Sequence, residues 1–397
     1  MQKVRYGIIG LGNQGSYYAS LINEGKIPGA VIGGICDINK KKITALLERL
    51  KEKKIPTFTD YHEMMDEKYV DVILITVPHY IHPVIAQECF KKNINVITDK
   101  PAGVYTKQVK EMNKASKNTK ALFGMMFNQR TNCVYRKMRE IIAKGGVGKL
   151  QRVTWIITDW FRTQTYYDSG SWRATWKGEG GGVLINQCPH QIDLISWVVG
   201  EMPATVNAFC KYGHWHDIEV EDEVTAYLTY KNGATGVFIT TTGETPGTNR
   251  FEVSGTLGKL VCENNKLYYH KNKKDSTDFL LHSKTSFDKP EVVITEVKTD
   301  GKNLQHIGIL RNFTNTILKK EKLFVKGTDG INGVELMNAI ELSGWQNGKT
   351  VKIPVDEDLY FKELMKRVKK SHLRNANDNM VEKALNFGTG QHNIKNR

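Results

Sequence analysis

Val4-Arg-Tyr-Gly-Ile-Ile-Gly10-Leu-Gly12-Asn13-Gln14-Gly15 begins as an apolar run and ends in the spacing G-x-G-x-x-G. Such a run followed by glycines reads as a buried strand turning sharply into a helix. Gly10 permits the tight turn, Gly12 lets backbone approach a pyrophosphate, and Gly15 lets helix and strand pack closely. Asn13 and Gln14 open the helix, whose N-terminal N–H groups are free to meet phosphate. Asp37 closes the next apolar run, 30–36. A carboxylate about 20 residues beyond the glycines accepts from ribose hydroxyls and repels a 2′-phosphate, so NAD is expected in preference to NADP.

Outward from this unit, short apolar runs at 70–77, 95–98 and 121–127 alternate with helical periodicity at 15–24, 40–51, 82–91 and 106–117. Alternation of this kind marks βαβ units and a doubly wound parallel sheet over residues 1–128. Asp60-Tyr-His-Glu63 has the form of a capping box opening a short helix.

From Leu150 the pattern becomes β-rich, at 151–158, 205–212, 223–230, 235–242, 250–254 and 259–263. Asn232-Gly233 between two of these runs predicts a type I′ hairpin. Strands joined by hairpins predict an α+β domain over 129–356 with an open, mainly antiparallel sheet, and helices at 183–199, 306–319 and 330–347. Residues 357–397 read as a basic C-terminal extension, its last 25 or so ordered only when a partner or second subunit holds them.

The chain has 397 residues, which is room for two or three domains. It carries 57 Lys plus Arg against 42 Asp plus Glu, a net charge of +15 that raises a nucleic-acid reading. Much of the excess lies at 40–54 and 362–374, runs without interleaved aromatics for base stacking, so solvated faces are expected and no nucleic-acid partner. No apolar run reaches the roughly 18 residues that cross a bilayer, so neither a membrane nor export is expected. Six cysteines without regular spacing fit neither a disulfide framework nor a zinc module, and a reducing cytoplasm is the simplest setting.

Three further constellations carry chemistry. Asp99-Lys100-Pro101 follows the 95–98 strand at its carboxyl end, the edge where doubly wound sheets hold ligands. A lysine there can steady a developing alkoxide, although a surface lysine before a turn proline would look the same. In Gly180-Gly-Gly182-Val-Leu-Ile-Asn186-Gln-Cys-Pro189-His190-Gln-Ile-Asp193, a continuous helix would put Asn186, His190 and Asp193 on one face. His190 beside a carboxylate suits proton removal from a hydroxyl, and Pro189 marks a kink or a fresh helix start. Trp172-Arg173, Trp160-Phe161-Arg162 and Tyr166-Tyr167 offer aromatic platforms and donors for a sugar, or core packing. His214-Trp-His216 lacks a third ligand at a recognisable offset, so no metal is expected.

On the residues just quoted, roughly from Lys3 to Asp356, the chain resembles the glucose-fructose oxidoreductase, inositol dehydrogenase and MocA family (Gfo/Idh/MocA). That family has an N-terminal Rossmann domain, an E-K-P motif and a G-G-G-x-L-x-D-x-x-x-H segment leading into an open sheet. The resemblance implies Lys100 and His190 as catalytic residues. It also implies that Thr76, Pro78, His79, His82 and Asp99 border the cofactor, that Asn128 lies near the nicotinamide, and that Arg173 reaches it from the second domain. Asp99 stands where the family motif has glutamate, and Asn186 where inositol dehydrogenases usually keep aspartate.

The function this predicts is NAD-dependent oxidation of a secondary hydroxyl on a sugar, glycoside or cyclitol, with C3 of a glucoside foremost. Asn186, Asp193, Trp172, Arg162 and Tyr167 are the expected substrate contacts. Rival readings are an inositol 2-dehydrogenase, a redox-neutral glycosidase with bound NAD, and a nucleotide-sensing regulatory protein. Family habit implies a homo-oligomer, and a C3 ketone product implies a downstream lyase.

Overall fold

The computed structural model describes residues 3–66 and 68–374. The first sheet comprises β1 (Val4–Ile9), β2 (Ala30–Cys36), β3 (Thr57–Phe58), β4 (Val72–Ile75), β5 (Asn95–Thr98) and β6 (Phe123–Met125). Its strand order is β3-β2-β1-β4-β5-β6, and every pairing is parallel. Helices α1 (Asn13–Asn23), α2 (Lys40–Leu50), α3 (Tyr61–Met64), α4 (His82–Lys91) and α5 (Thr106–Ser116) connect the strands. The order reverses between β1 and β4, which opens a crevice at their carboxyl ends. Thr76 pins that point: its hydroxyl donates to the Ile9 and Gly10 carbonyls at 2.9 and 2.6 Å.

The second sheet contains β7 (Leu150–Ile157), β8 (Thr205–Tyr212), β9 (Glu221–Thr229), β10 (Thr235–Thr241), β11 (Asn249–Gly255), β12 (Gly258–Glu263), β13 (Lys266–Asn272), β14 (Val292–Glu296) and β15 (Val351–Lys352). Its order is β14-β13-β12-β11-β7-β10-β9-β8-β15, antiparallel except for β7 beside β10. One face buries Val153, Trp155, Ala226, Leu228, Phe238 and Phe251, with the Trp155 and Phe251 rings stacked at 4.2 Å. Helices α6 (Cys133–Ala143), α7 (Gln164–Asp168), α8 (Pro189–Val199), α9 (Ser276–His282), α10 (Gln305–Ile317), α11 (Gly330–Trp345) and α12 (Glu357–Val368) complete the fold.

Three local expectations are corrected. The turn after β9 has three residues, Lys231 to Gly233, and only Gly233 has positive φ, at 85°. It is a type I turn closed by a left-handed glycine rather than type I′, which needs positive φ at both central residues. The helix expected over 183–199 begins at Pro189, because a proline at the first helical position loses no intrahelical bond. Residues 357–368, placed in a basic extension, form α12, which buries Tyr360 and Leu364 and stacks Tyr360 on Trp345 at 5.1 Å. The arm foreseen for the last 25 residues falls almost entirely outside the described residues.

The two sheets are tied together by buried bonds. Thr106 donates through its N–H and its hydroxyl to Asn338 Oδ1 at 2.8 and 2.9 Å, and the Tyr6 and Thr314 hydroxyls share a bond of 2.8 Å. Among the described residues, no helix is long and apolar enough to cross a membrane.

Candidate active site

The glycine turn at the end of β1 forms an open cradle. An added Cβ at Gly15 would lie 1.9 Å from the Gly10 carbonyl oxygen, whereas one at Gly12 would meet nothing within 4 Å. Packing therefore demands Gly15, while the space over Gly12 stands clear for a ligand. Gly10 takes φ of +92°, which a side chain rarely adopts. Helix α1 starts beyond Gly12 without a side-chain cap, so Asn13 and Gln14 lie at an N-terminus suited to phosphate. Asp37 is buried and accepts the Leu11 and Asn39 N–H groups at 2.8 Å each, holding it at the adenosine end of the crevice. These features fit a dinucleotide, with Asp37 placed to accept from ribose hydroxyls.

Lys100 leaves the end of β5 and its ammonium donates to the Asn186 carbonyl at 2.9 Å, so the segment before α8 meets the Rossmann edge here. Burial lowers the Lys100 pKa, against the opposing pull of Asp99 and Glu179. His190 begins the first turn of α8, and its buried Nδ1 has no hydrogen-bond partner among the described residues. Burial, then the positive charge of Lys100, pushes the His190 pKa well down, so the imidazole is neutral. Asp99 turns one oxygen to the Lys100 N–H at 2.8 Å, and burial raises its pKa to about 6.

Asn186 also points its amide at the site. Its Nδ2 donates to the Tyr166 hydroxyl at 3.2 Å and to Glu179 Oε1. The Tyr166 hydroxyl additionally accepts from Arg173 at 3.0 Å and Gln187 at 3.3 Å, and its ring lies between the Arg162 and Arg173 guanidiniums, 5.2 and 4.7 Å away. Arg173 also lies 4.7 Å from the Trp172 ring, whose edge meets His79 at 5.7 Å. Arg162 donates to the Phe161 carbonyl at 2.9 Å. Asn128 donates to Gln305 at 2.5 Å, while its buried Oδ1 finds no partner among the described residues.

Several expected contacts are located elsewhere. Tyr167 is buried, with its hydroxyl donating to Thr242 at 2.9 Å; on α7 the adjacent Tyr166 faces the site, because consecutive helical residues diverge by about 100°. Asp193 is held by Arg130 through both oxygens, at 2.6 and 2.8 Å, and Arg130 also binds Asp329 at 2.7 Å. Both Asp193 oxygens thus serve a buried ion pair instead of sugar hydroxyls. His82 faces the Val77 and Pro101 carbonyls at 2.7 and 2.8 Å and is 1% exposed, so it braces the ends of β4 and β5 rather than bordering a cofactor. His79 faces the Glu179 carbonyl at 3.2 Å, just after Thr76 and Pro78 at the crevice edge.

His216 bridges Asp222 and the Arg162 carbonyl at 3.1 and 2.9 Å, a structural role. Two residues near Lys100 escaped the sequence reading. His306, on α10, stands 5.6 Å from the Tyr17 and Tyr18 rings, and burial takes its pKa down to about 4. Glu179, 1% exposed, has its pKa raised by burial to about 7. Both lie far from Lys100 in sequence, and the glycines after Glu179 are the only local signal.

A dinucleotide cradle facing a buried amine and a neutral imidazole from across a domain boundary defines an NAD-dependent oxidoreductase. Residues 4–127 match the family described as an oxidoreductase family with an NAD-binding Rossmann fold, and residues 135–261 match the Gfo/Idh/MocA C-terminal domain. The chain belongs to the Gfo/Idh/MocA family.

Among its relatives is the myo-inositol 2-dehydrogenase of Thermotoga maritima, 24% identical over 269 residues, spanning 66% of this chain and 75% of that protein. The levoglucosan dehydrogenase of Pseudarthrobacter phenanthrenivorans is 26% identical over 230 residues, 51% of this chain and 58% of that protein. The fold matches the WlbA dehydrogenase from Bordetella pertussis, solved with NADH and UDP-GlcNAcA, at TM-score 0.74 and 23% identity over 89% of this chain and 100% of that one. A levoglucosan dehydrogenase solved with NADH and levoglucosan gives TM-score 0.73 and 20% identity over the same shares.

Proposed function

We propose that this protein dehydrogenates a secondary hydroxyl of a sugar or glycoside, with C3 of a glucoside as the position attacked. NAD supplies the hydride acceptor. The neutral His190 takes the hydroxyl proton, and Lys100, held by the Asn186 carbonyl, donates to the oxygen as negative charge develops there. Tyr166, Trp172 and Arg162 form the aromatic and cationic wall for the ring, and the Asn186 amide binds a hydroxyl. Arg173 and Asn128 border the nicotinamide end, with Thr76, Pro78, His79 and Asp99 along the crevice. A ketone at C3 acidifies the neighbouring C–H, which suits the product to elimination by a separate lyase.

The observation that carries this reading is the buried, partnerless Nδ1 of His190 within the positive field of Lys100. Its test is absorbance at 340 nm with NAD and a panel of glucosides, anhydrosugars and inositols. Growth with a glucoside, and a product lighter by two hydrogens at C3, supports it; growth with inositols alone moves the substrate to the cyclitols, which the inositol dehydrogenase relative favours. Release of aglycone without net NADH would identify a redox-neutral glycosidase. A homo-oligomer is proposed as well, on the open sheet face that leaves Phe209 64% and Tyr227 46% exposed, with light scattering as its check.

A further inference from the structure

The ammonium of Lys100 needs a compensating charge in a site that burial makes hostile to ions. Asp99, next in sequence, is the larger opposing charge and turns one oxygen to the Lys100 N–H; Glu179 is the second. The flanking histidines are neutral, and Arg173 adds positive charge. Position 186 holds an amide.

Glu179 adds a second carboxylate from the other domain. One of its oxygens accepts the Ala174 N–H at 2.6 Å and the other accepts from Asn186 Nδ2. Ala174 itself takes φ of +52°. The same Asn186 receives the Lys100 ammonium on its backbone carbonyl at 2.9 Å. One residue therefore links the carboxylate to the amine, through two of its own groups. An aspartate at 186 would set acceptor against acceptor, and two carboxylates at hydrogen-bond distance cannot both ionise. An asparagine is the isosteric residue that donates.

We propose that Glu179 is a second carboxylate partner of Lys100, coupled to the amine through Asn186. It is a positioning residue: it compensates the ammonium and orients the Asn186 carbonyl that holds it. This rests on the assignment of Lys100 as the group that meets the substrate oxygen. Burial raises Glu179 to about 7, while Arg173, the Ala174 N–H and Lys100 favour its ionised form.

The test is a charge swap read by two measurements. In E179Q, the Lys100 titration, followed by 13C NMR of methylated protein with NADH bound and assigned with K100R, moves down by about one unit or more. The alkaline limb of kcat moves with it, while NADH affinity stays constant. N186D alone also loses turnover, and E179Q/N186D, which places a carboxylate at position 186, recovers most of it together with the Lys100 titration. Additive losses in the double variant, or a Lys100 titration unmoved in E179Q, overturn the proposal.

Should E179Q not fold, N186D carries the test: it adds an ionisation near neutral pH to the profile of NADH-bound Lys100, and its absence is an overturning result. The NMR titration needs no turnover. A panel that yields no oxidation with a shifted titration thus refutes the reaction and leaves the charge partnership standing.

Discussion

Asp37 Oδ2 accepts the Leu11 N–H at 2.8 Å and lies 3.8 Å from the Lys42 ammonium, so one carboxylate spans the glycine turn and the start of α2. The same geometry sets nucleotide preference. In D37S the acceptor for ribose hydroxyls is gone and Lys42 is released to meet a 2′-phosphate. NAD affinity should fall about tenfold or more, from the loss of charge-assisted hydrogen bonds, and NADP affinity should rise. Titrating NADH and NADPH fluorescence against both proteins measures the change, and an unaltered ratio would remove Asp37 from the ribose site.

The Lys100 charge acts on His190, and the Lys100 ammonium is also the donor nearest the proposed alkoxide. K100A removes a donor aimed at developing charge, which typically costs about 10² to 10³ in kcat, with NADH affinity nearly intact. Steady-state kinetics and NADH titration on one preparation decide it. Full turnover in K100A ends the assignment.

Tyr166 and Tyr167 are adjacent and have opposite fates, which gives a matched pair of variants. Y166F strips the acceptor from Arg173, Asn186 and Gln187 and should lower kcat/KM about tenfold or more. Y167F loses only the buried bond to Thr242, so it should cost about 1 kcal/mol in urea unfolding and leave kcat/KM close to that of the wild type.

What was legible in the sequence was local. The glycine turn, Asp37 and the Rossmann strands other than the two-residue β3 follow from patterns within a few residues, and these appear where periodicity put them. β14 was not legible because its five residues are all exposed, so no alternation marks it, and β15 has only two residues. The choice between Tyr166 and Tyr167 turns on which side of a five-residue helix faces inward, which tertiary packing decides. His306 and Glu179 reach Lys100 from distant segments, and no spacing rule connects them.

Asp193 shows the same limit and yields a prediction. Its spacing from His190 suggested a substrate ligand, but Arg130 occupies both its oxygens, and the two side chains are 4% and 2% exposed for Arg130 and Asp193. D193A removes two charge-assisted bonds from buried Arg130 and leaves it Asp329 alone, so it should lose about 2–3 kcal/mol in urea unfolding. The folded fraction should retain its KM; a large rise in KM without loss of stability would return Asp193 to the substrate site.

Glu221 and Glu341 are buried together beneath the glycine run that precedes Asn186. Gly182 and Leu184 donate their N–H groups to Glu221 at 2.8–3.0 Å, which favours its ionised form, while Glu341 faces Glu221 and the Tyr212 hydroxyl. Burial and the neighbouring Glu221 charge hold the Glu341 pKa well above the ordinary glutamate range, so Glu341 keeps its proton in the fold. The unfolded chain releases that proton at lower pH. Between the two values the folded state binds more protons, and stability must fall as pH rises. E341Q is neutral at every pH and removes this dependence. Its melting temperature should exceed that of the wild type by a margin that widens from pH 6 to pH 9, by about 2–4 °C for each kcal/mol recovered. Parallel melting curves across that range would mean that the pair does not hold the proton assigned to it.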